Sequence, residues 1–179
     1  MPTSITELSD GPETLPNARD LTASRGSLRW RRAALALLAV IVLAGATGLL
    51  GVRSTTTTAS AHGYTASFTH AAVARAGWDV PWRLRIRHPG GFDGPVTVAV
   101  TGRSFDIFET QRFWPEPSAE TRGGEFVYLT FDPPPGDTLL IDYDAYVQPS
   151  AQVGRRTTIT VIVDRVSQVS LHASTVLLP

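Results

Sequence analysis

The chain is 179 residues long, 42% hydrophobic and 18% charged, and its 16 arginines balance 16 acidic residues to a formal net charge of zero. Neutral bulk charge excludes a basic nucleic-acid binder, and the hydrophobic content excludes a wholly disordered chain. Lysine and cysteine are both absent, which removes Schiff-base lysines, thiolate metal sites, cysteine nucleophiles and disulfides.

In chain order, residues 1–24 hold mostly Pro, Ser, Thr, Asp and Glu, with Ile5, Leu8, Leu15 and Leu21 as the large apolar side chains. That is too little surface to offset chain entropy, so a disordered tail is expected. Arg25, Arg29, Arg31 and Arg32 close this 1–32 segment as a cationic cluster. Ala33–Val52 follows as 20 residues in which Thr47 is the one polar side chain. A helix of that length rises about 30 Å, the thickness of a bilayer's hydrocarbon core, so 33–52 reads as a transmembrane helix.

The flanks orient it. Cationic residues crowd the N-terminal side, whereas after Arg53 the next cation is Arg75. The positive-inside rule then puts the N-terminus in the cytoplasm and everything after Val52 outside the plasma membrane. A rival reading is a cleaved signal peptide, because Ala59-Ser60-Ala61 has the small-x-small form of a cleavage site and Arg31-Arg32 is a twin-arginine pair. The apolar run exceeds the usual signal core of about 7–15 residues and ends well before Ala61, which favours an uncleaved anchor. Residues 53–63, rich in Ser and Thr, read as a polar linker holding the folded part off the membrane.

From Tyr64 the hydrophobic period becomes two. Trp82, Leu84 and Ile86 alternate with Arg83, Arg85 and Arg87, the pattern of a half-buried strand. The Gly- and Pro-dense run from Pro89 to Pro95 leads into Val96–Thr101, and the two segments are expected to form a hairpin. Tyr64–His70, Glu125–Phe131, Thr138–Val147, Thr157–Val163 and Gln168–Leu177 are further strand candidates, with a short one near Phe105–Phe108. Residues 64–179 therefore read as an all-β domain, an immunoglobulin-like antiparallel β-sandwich of about 7–8 strands, or else a small closed barrel, which strand count and spacing do not separate.

The run Thr130-Phe-Asp-Pro-Pro-Pro-Gly-Asp-Thr-Leu-Leu-Ile-Asp-Tyr143, followed by a hairpin over Thr157–Thr175, is similar to the Pro-Gly turn and final strands of bacterial immunoglobulin-like accessory domains. Over roughly residues 30–179 the chain resembles single-pass membrane proteins of actinobacteria that carry one exported domain of this kind. The resemblance implies a fold and a topology. It carries no active site, and the chain lacks the inter-sheet cysteine pair of antibody-type domains.

The search for chemistry is mostly negative. Neither a Gly-x-Ser-x-Gly elbow nor a Gly-x-x-x-x-Gly-Lys phosphate loop is present. His62, His70, His88 and His172 lack the short spacings of common metal sites, although three strands could bring the last three together; no metal, cofactor or catalytic residue is assigned. Asp142 and Asp144 share a strand face about 6.6 Å apart, but neighbours on one strand point in parallel rather than flanking a bond from opposite sides.

Two features suit binding instead. Arg83, Arg85 and Arg87 form a row that calls for an anion alongside, from a cross-strand ladder or from a phosphorylated polymer or headgroup. Phe113-Trp114, set before Pro115 and Pro117, reads equally as a contact site, from its aromatic profile, or as core, while Phe105 and Phe108 read as core. The expected function is a noncatalytic, membrane-anchored accessory subunit. Its partners would be another membrane or envelope protein, such as a multi-pass one, and the lipid bilayer through 33–52. A tethered cell-wall glycan or polyanion binder is the alternative, and an exported hydrolase the third.

Overall fold

The computed structural model describes residues 25–46, 51–109 and 112–178, with side chains from Leu28 onward. The expected disordered tail over 1–24 lies outside the described residues. The chain divides into a helical unit and a β unit.

Helix α1 spans Arg25–Ala46, so the arginine cluster forms its first turns and Ala33–Ala46, rich in the helix formers Ala and Leu, continues it. Leu35, Leu37, Leu38, Val40, Ile41, Val42 and Leu43 are all exposed, so α1 is apolar around its circumference. No helix of the described residues is long and apolar enough to cross a membrane. Ala33–Ala46 rises about 21 Å, short of the roughly 30 Å required, and Thr47–Leu50 of the apolar run lie outside the described residues.

The β unit contains twelve strands: β1 (Arg53–Ala61), β2 (Tyr64–Arg75), β3 (Asp79–Val80), β4 (Trp82–Arg87), β5 (Val96–Thr101), β6 (Phe113–Trp114), β7 (Ala119–Gly123), β8 (Phe126–Phe131), β9 (Thr138–Tyr143), β10 (Ala145–Tyr146), β11 (Arg155–Val163) and β12 (Val166–Leu178). Ten of them make one curled sheet, in the order β6-β9-β4-β2-β12-β11-β5-β8-β7 with β1 on the side of β2, while β3 and β10 pair separately. One half, β1-β2-β4-β9-β6, supplies Phe68, Leu84, Ile86 and Ile141 to the core; the other, from β12 to β7, supplies Val98, Val100, Leu129, Phe131, Ile159 and Val161. The unit is all-β and sandwich-like, as the period-two pattern predicts.

The halves join through β12. Its first part pairs antiparallel with β11, and its last residues, Val176–Leu178, run parallel to Val73–Arg75 of β2. Gly154 makes the transfer possible. A β-carbon there would collide with the Thr175 carbonyl oxygen, backbone that cannot swing aside. Thr175 Oγ1 then donates to the Ala71 carbonyl at 2.8 Å, tying β12 to β2 where it changes partner.

Several expectations are corrected. Residues 53–63 are not a linker: β1 pairs with β2 through nine registered positions, and Thr56–Thr69, Thr58–Ser67 and Ser60–Thr65 link their hydroxyls at 2.8–3.1 Å. The strand hides from a hydrophobic-period reading because its inward residues are as small as Ala59 and Ala61. The domain therefore begins at Arg53, not at Tyr64. Trp82–Arg87 and Val96–Thr101 form no hairpin; β4 already has β2 and β9 on its two sides, and β5 has β11 and β8. The Gly/Pro run between them instead crosses from one half of the sheet to the other. Phe105–Phe108 is not a strand but lies beyond a 3₁₀ turn at Gly102–Ser104, with one isolated bridge from Phe108 to Val147. The pairing is also not wholly antiparallel, given the β2–β12 contact. The hairpin expected within Thr157–Thr175 is present as β11–β12.

Two outcomes follow for stability. Ile86 is fully buried on β4 and Arg85 beside it is exposed, so Ile86→Ala should cost about 2–5 kcal/mol and Arg85→Ala within about 0.5 kcal/mol in chemical denaturation. Gly154→Ala should cost at least about 1–3 kcal/mol, the range for forced overpacking, and comparable melting of variant and parent would refute the close approach at Thr175.

Candidate functional site

The alternation of β4 puts Trp82, Leu84 and Ile86 inside and Arg83, Arg85 and Arg87 on the outer face. Register then determines what each arginine meets. Arg83 lies opposite Asp142 of β9, and its Nε and Nη2 donate to the two carboxylate oxygens at 2.5 and 3.2 Å. That hydrogen bond and the carboxylate's charge raise the Arg83 pKa above its ordinary value. Arg87 donates to Asp137 at 3.1 Å. The Thr138 hydroxyl and then Arg87 hold the Asp137 carboxyl below the usual carboxylate range. Arg85 faces Leu140 and, among the described residues, has no carboxylate within ion-pair distance. Two thirds of the expected cross-strand ladder thus exists.

One row of the sheet runs Thr56, Thr69, Arg83, Asp142, Trp114, each residue opposite the next. At its end an open groove of about 540 Å³ is walled by Arg83, Arg112, Trp114, Asp79, Asp142 and Asp144. Trp114 is 75% exposed there. β9 therefore brings two sequence candidates, Arg83 and Trp114, to one place. Arg85 and Arg87 lie farther along β4, outside it.

The Phe113-Trp114 pair splits. A strand sends neighbouring side chains to opposite faces. Phe113 turns inward, with ring centroids 4.6 Å from Tyr143, 5.8 Å from Trp82 and 5.9 Å from Phe105. Phe108 is buried and Phe105 packs against the core, so this aromatic cluster anchors the edge strand that carries Trp114 outward. Phe113 is thus the inward, partly buried member of the pair and Trp114 the exposed one.

Asp79, Arg112 and the exposed Trp78 are not singled out by sequence. Asp79 and Arg112 belong to no periodic pattern, and the groove gathers them from β3 and from the approach to β6. The one available signal was Gly77-Trp78-Asp79, a large aromatic beside a glycine at a strand break.

The histidines stay apart. His62 Nδ1 donates to the Gln168 carbonyl at 2.9 Å, His88 Nδ1 donates to the Gly91 carbonyl at 2.6 Å and stacks on Tyr64, and His172 meets the Thr158 hydroxyl at 3.1 Å. His70 and His172 border one shallow depression, and no group of three His, Asp or Glu among the described residues could hold a metal ion. Compared with known families, curated proteins and solved structures, the chain matches none.

His70 is buried, stacked on Phe68 with centroids 5.0 Å apart, and its Nδ1 has no hydrogen-bond partner. Burial lowers its pKa below the ordinary histidine value, outweighing the carbonyls of Phe68 and Ser174 that favour the cation. The unfolded state therefore takes up a proton first as pH falls through about 6.5, while the folded state remains neutral. Stability should be full above that pH and decline on acidification toward the lowered value. His70→Asn should flatten the denaturation midpoint between pH 7 and 5, and an unchanged slope would refute the assignment.

Proposed function

We propose that the chain is a membrane-tethered, noncatalytic binding module of the cell envelope. Its apolar run that begins at Ala33 is the single-pass anchor with the N-terminus cytoplasmic, and its exported immunoglobulin-like β domain binds an envelope glycan in the Trp114 groove. The arginine asymmetry about the run, the apolar circumference of α1, and the resemblance to actinobacterial single-pass proteins support the topology.

The observation that carries the ligand class is Trp114, three-quarters exposed between charged walls. The C–H face of a pyranose is apolar and matches a flat indole, while its hydroxyls need planar donors and acceptors at the rim. Arg83 with Asp142, Arg112, Asp79 and Asp144 are groups of that kind. Substituents of either charge find a counterpart there. The reading assigns no catalytic step, and Asp142 serves to hold the Arg83 fork.

A second reading is an accessory subunit that holds another envelope or membrane protein. It is favoured by the place of Trp114 on β6, an edge of the sheet, where a partner strand could add. The two separate by experiment on the full chain in nanodiscs. Trp114→Ala should reduce retention on purified envelope polysaccharide by about tenfold or more while keeping the melting midpoint, and Phe113→Ala should lower stability by about 1–3 kcal/mol. Unchanged polysaccharide retention by Trp114→Ala, together with loss of a copurifying protein, would transfer the groove to the second reading.

A further inference from the structure

The chain enters the β domain with no spacer. Val52, the last residue of the apolar run, is partly buried against the β core, and β1 starts at the next residue. Arg53 and the strand ends in register with it are therefore the tips of the β unit nearest in the chain to the apolar run. This corrects the polar-linker expectation and also places one end of the domain.

That end is defined by register. Arg53 opens β1 opposite Val73, Val73 faces Val176 of β12, and Arg75 faces Leu178. Arg155 opens β11 opposite Thr175, with Val153 and Gly154 just before it. Trp78 follows the end of β2, its carbonyl accepting from Val147 N at 3.0 Å. Of the seven large hydrophobic side chains exposed on the β unit, four gather here: Trp78 at 50%, Val153 at 67%, Val176 at 53% and Leu178 at 36%. The opposite end, around the Val163–Val166 turn, exposes Val166 alone among them.

The strand tips of this end carry Arg53, Arg75 and Arg155, and the exposed Asp79 next to Trp78 is an acid beside them. Arg53, Arg75 and Arg155 have no carboxylate within ion-pair distance among the described residues, and Arg75 Nε is buried without a hydrogen-bond partner. An indole, aliphatic side chains and guanidiniums without carboxylate partners, Arg155 bonding the carbonyls of Val153 and Gly154, form the composition that settles at a lipid headgroup layer. There the ring spans the apolar boundary and the cations meet phosphate.

We propose that the entry end of the β domain rests on the membrane surface, with Trp78, Val153, Val176 and Leu178 in the headgroup layer and Arg53, Arg75 and Arg155 on lipid phosphates. The inference rests on the anchor reading.

The absence of native cysteine makes the test direct. Single-cysteine variants of the full chain, Leu43→Cys, Val153→Cys, Val176→Cys and Val166→Cys, are spin-labelled in phospholipid nanodiscs. Collisional access to oxygen and to a water-soluble nickel chelate then gives each label's depth. Labels at 153 and 176 should sit at headgroup depth, with chelate access at least about threefold below the label at 166, and the label at 43 in hydrocarbon. If 43 is in hydrocarbon while 153 and 176 are as accessible as 166, the surface contact is refuted and the anchor stands. If 43 is itself in water, the anchor reading fails and the contact with it. Val153 lies outside any strand, so its variant reports even if labelling at 176 disturbs β12.

Discussion

The passage of β12 from one half of the sheet to the other holds the β unit together. Past Gly154, which leaves no room for a β-carbon against Thr175, the strand exchanges β11 for a short parallel run along β2. The hydrogen bond from Thr175 to the Ala71 carbonyl secures the exchange. Apart from it, backbone bonds between the segments after β5 and β9, at Glu109–Tyr146 and Ile107–Gln148, tie the halves. With it, backbone hydrogen bonds continue around one side of the core, and the end of β12 is brought beside the start of β1.

The opposite side of the core is closed differently. There the sheet ends in β6 and β7, short strands separated by Pro115 and Pro117 and unable to form a long free edge. Closure comes from aromatic rings. Trp82, Phe105, Phe108, Phe113 and Tyr143 pack at edge or tilted angles, so a two-residue strand is held by its inward ring and its outward ring is left for other uses. Packing of Phe113 and pairing with β9 fix the backbone that carries Trp114, whose side chain stays exposed.

Arg83 is placed by register. It belongs by sequence to a row of three arginines, yet by register it belongs to the Trp114 groove, where Asp142 holds its fork flat. Arg87 is held likewise by Asp137, which leaves Arg85 as the arginine of the row opposite an apolar neighbour. The row is thus less a polyanion track than a set of cross-strand pairs, one of which walls the groove.

Period-two alternation, turn residues and composition determined the all-β class, the inward face of β4, the β11–β12 hairpin and the core role of Phe108, because those properties depend on neighbours in the chain. The apolar run and its arginine flank are likewise local. Partner choice is not. That β1 is a strand and not a linker depends on a neighbour able to pair with its hydroxyls. That β4 and β5 part company depends on which edges β2, β9, β11 and β8 already occupy. Phe113 and Trp114 are adjacent and chemically alike, and only the ring cluster beneath β6 decides which faces in. The groove, with Asp79 and Arg112 drawn from separate segments, and the apolar, cationic entry end exist only once strand ends distant in sequence are brought to one level, a long-range matter on which no local pattern bears.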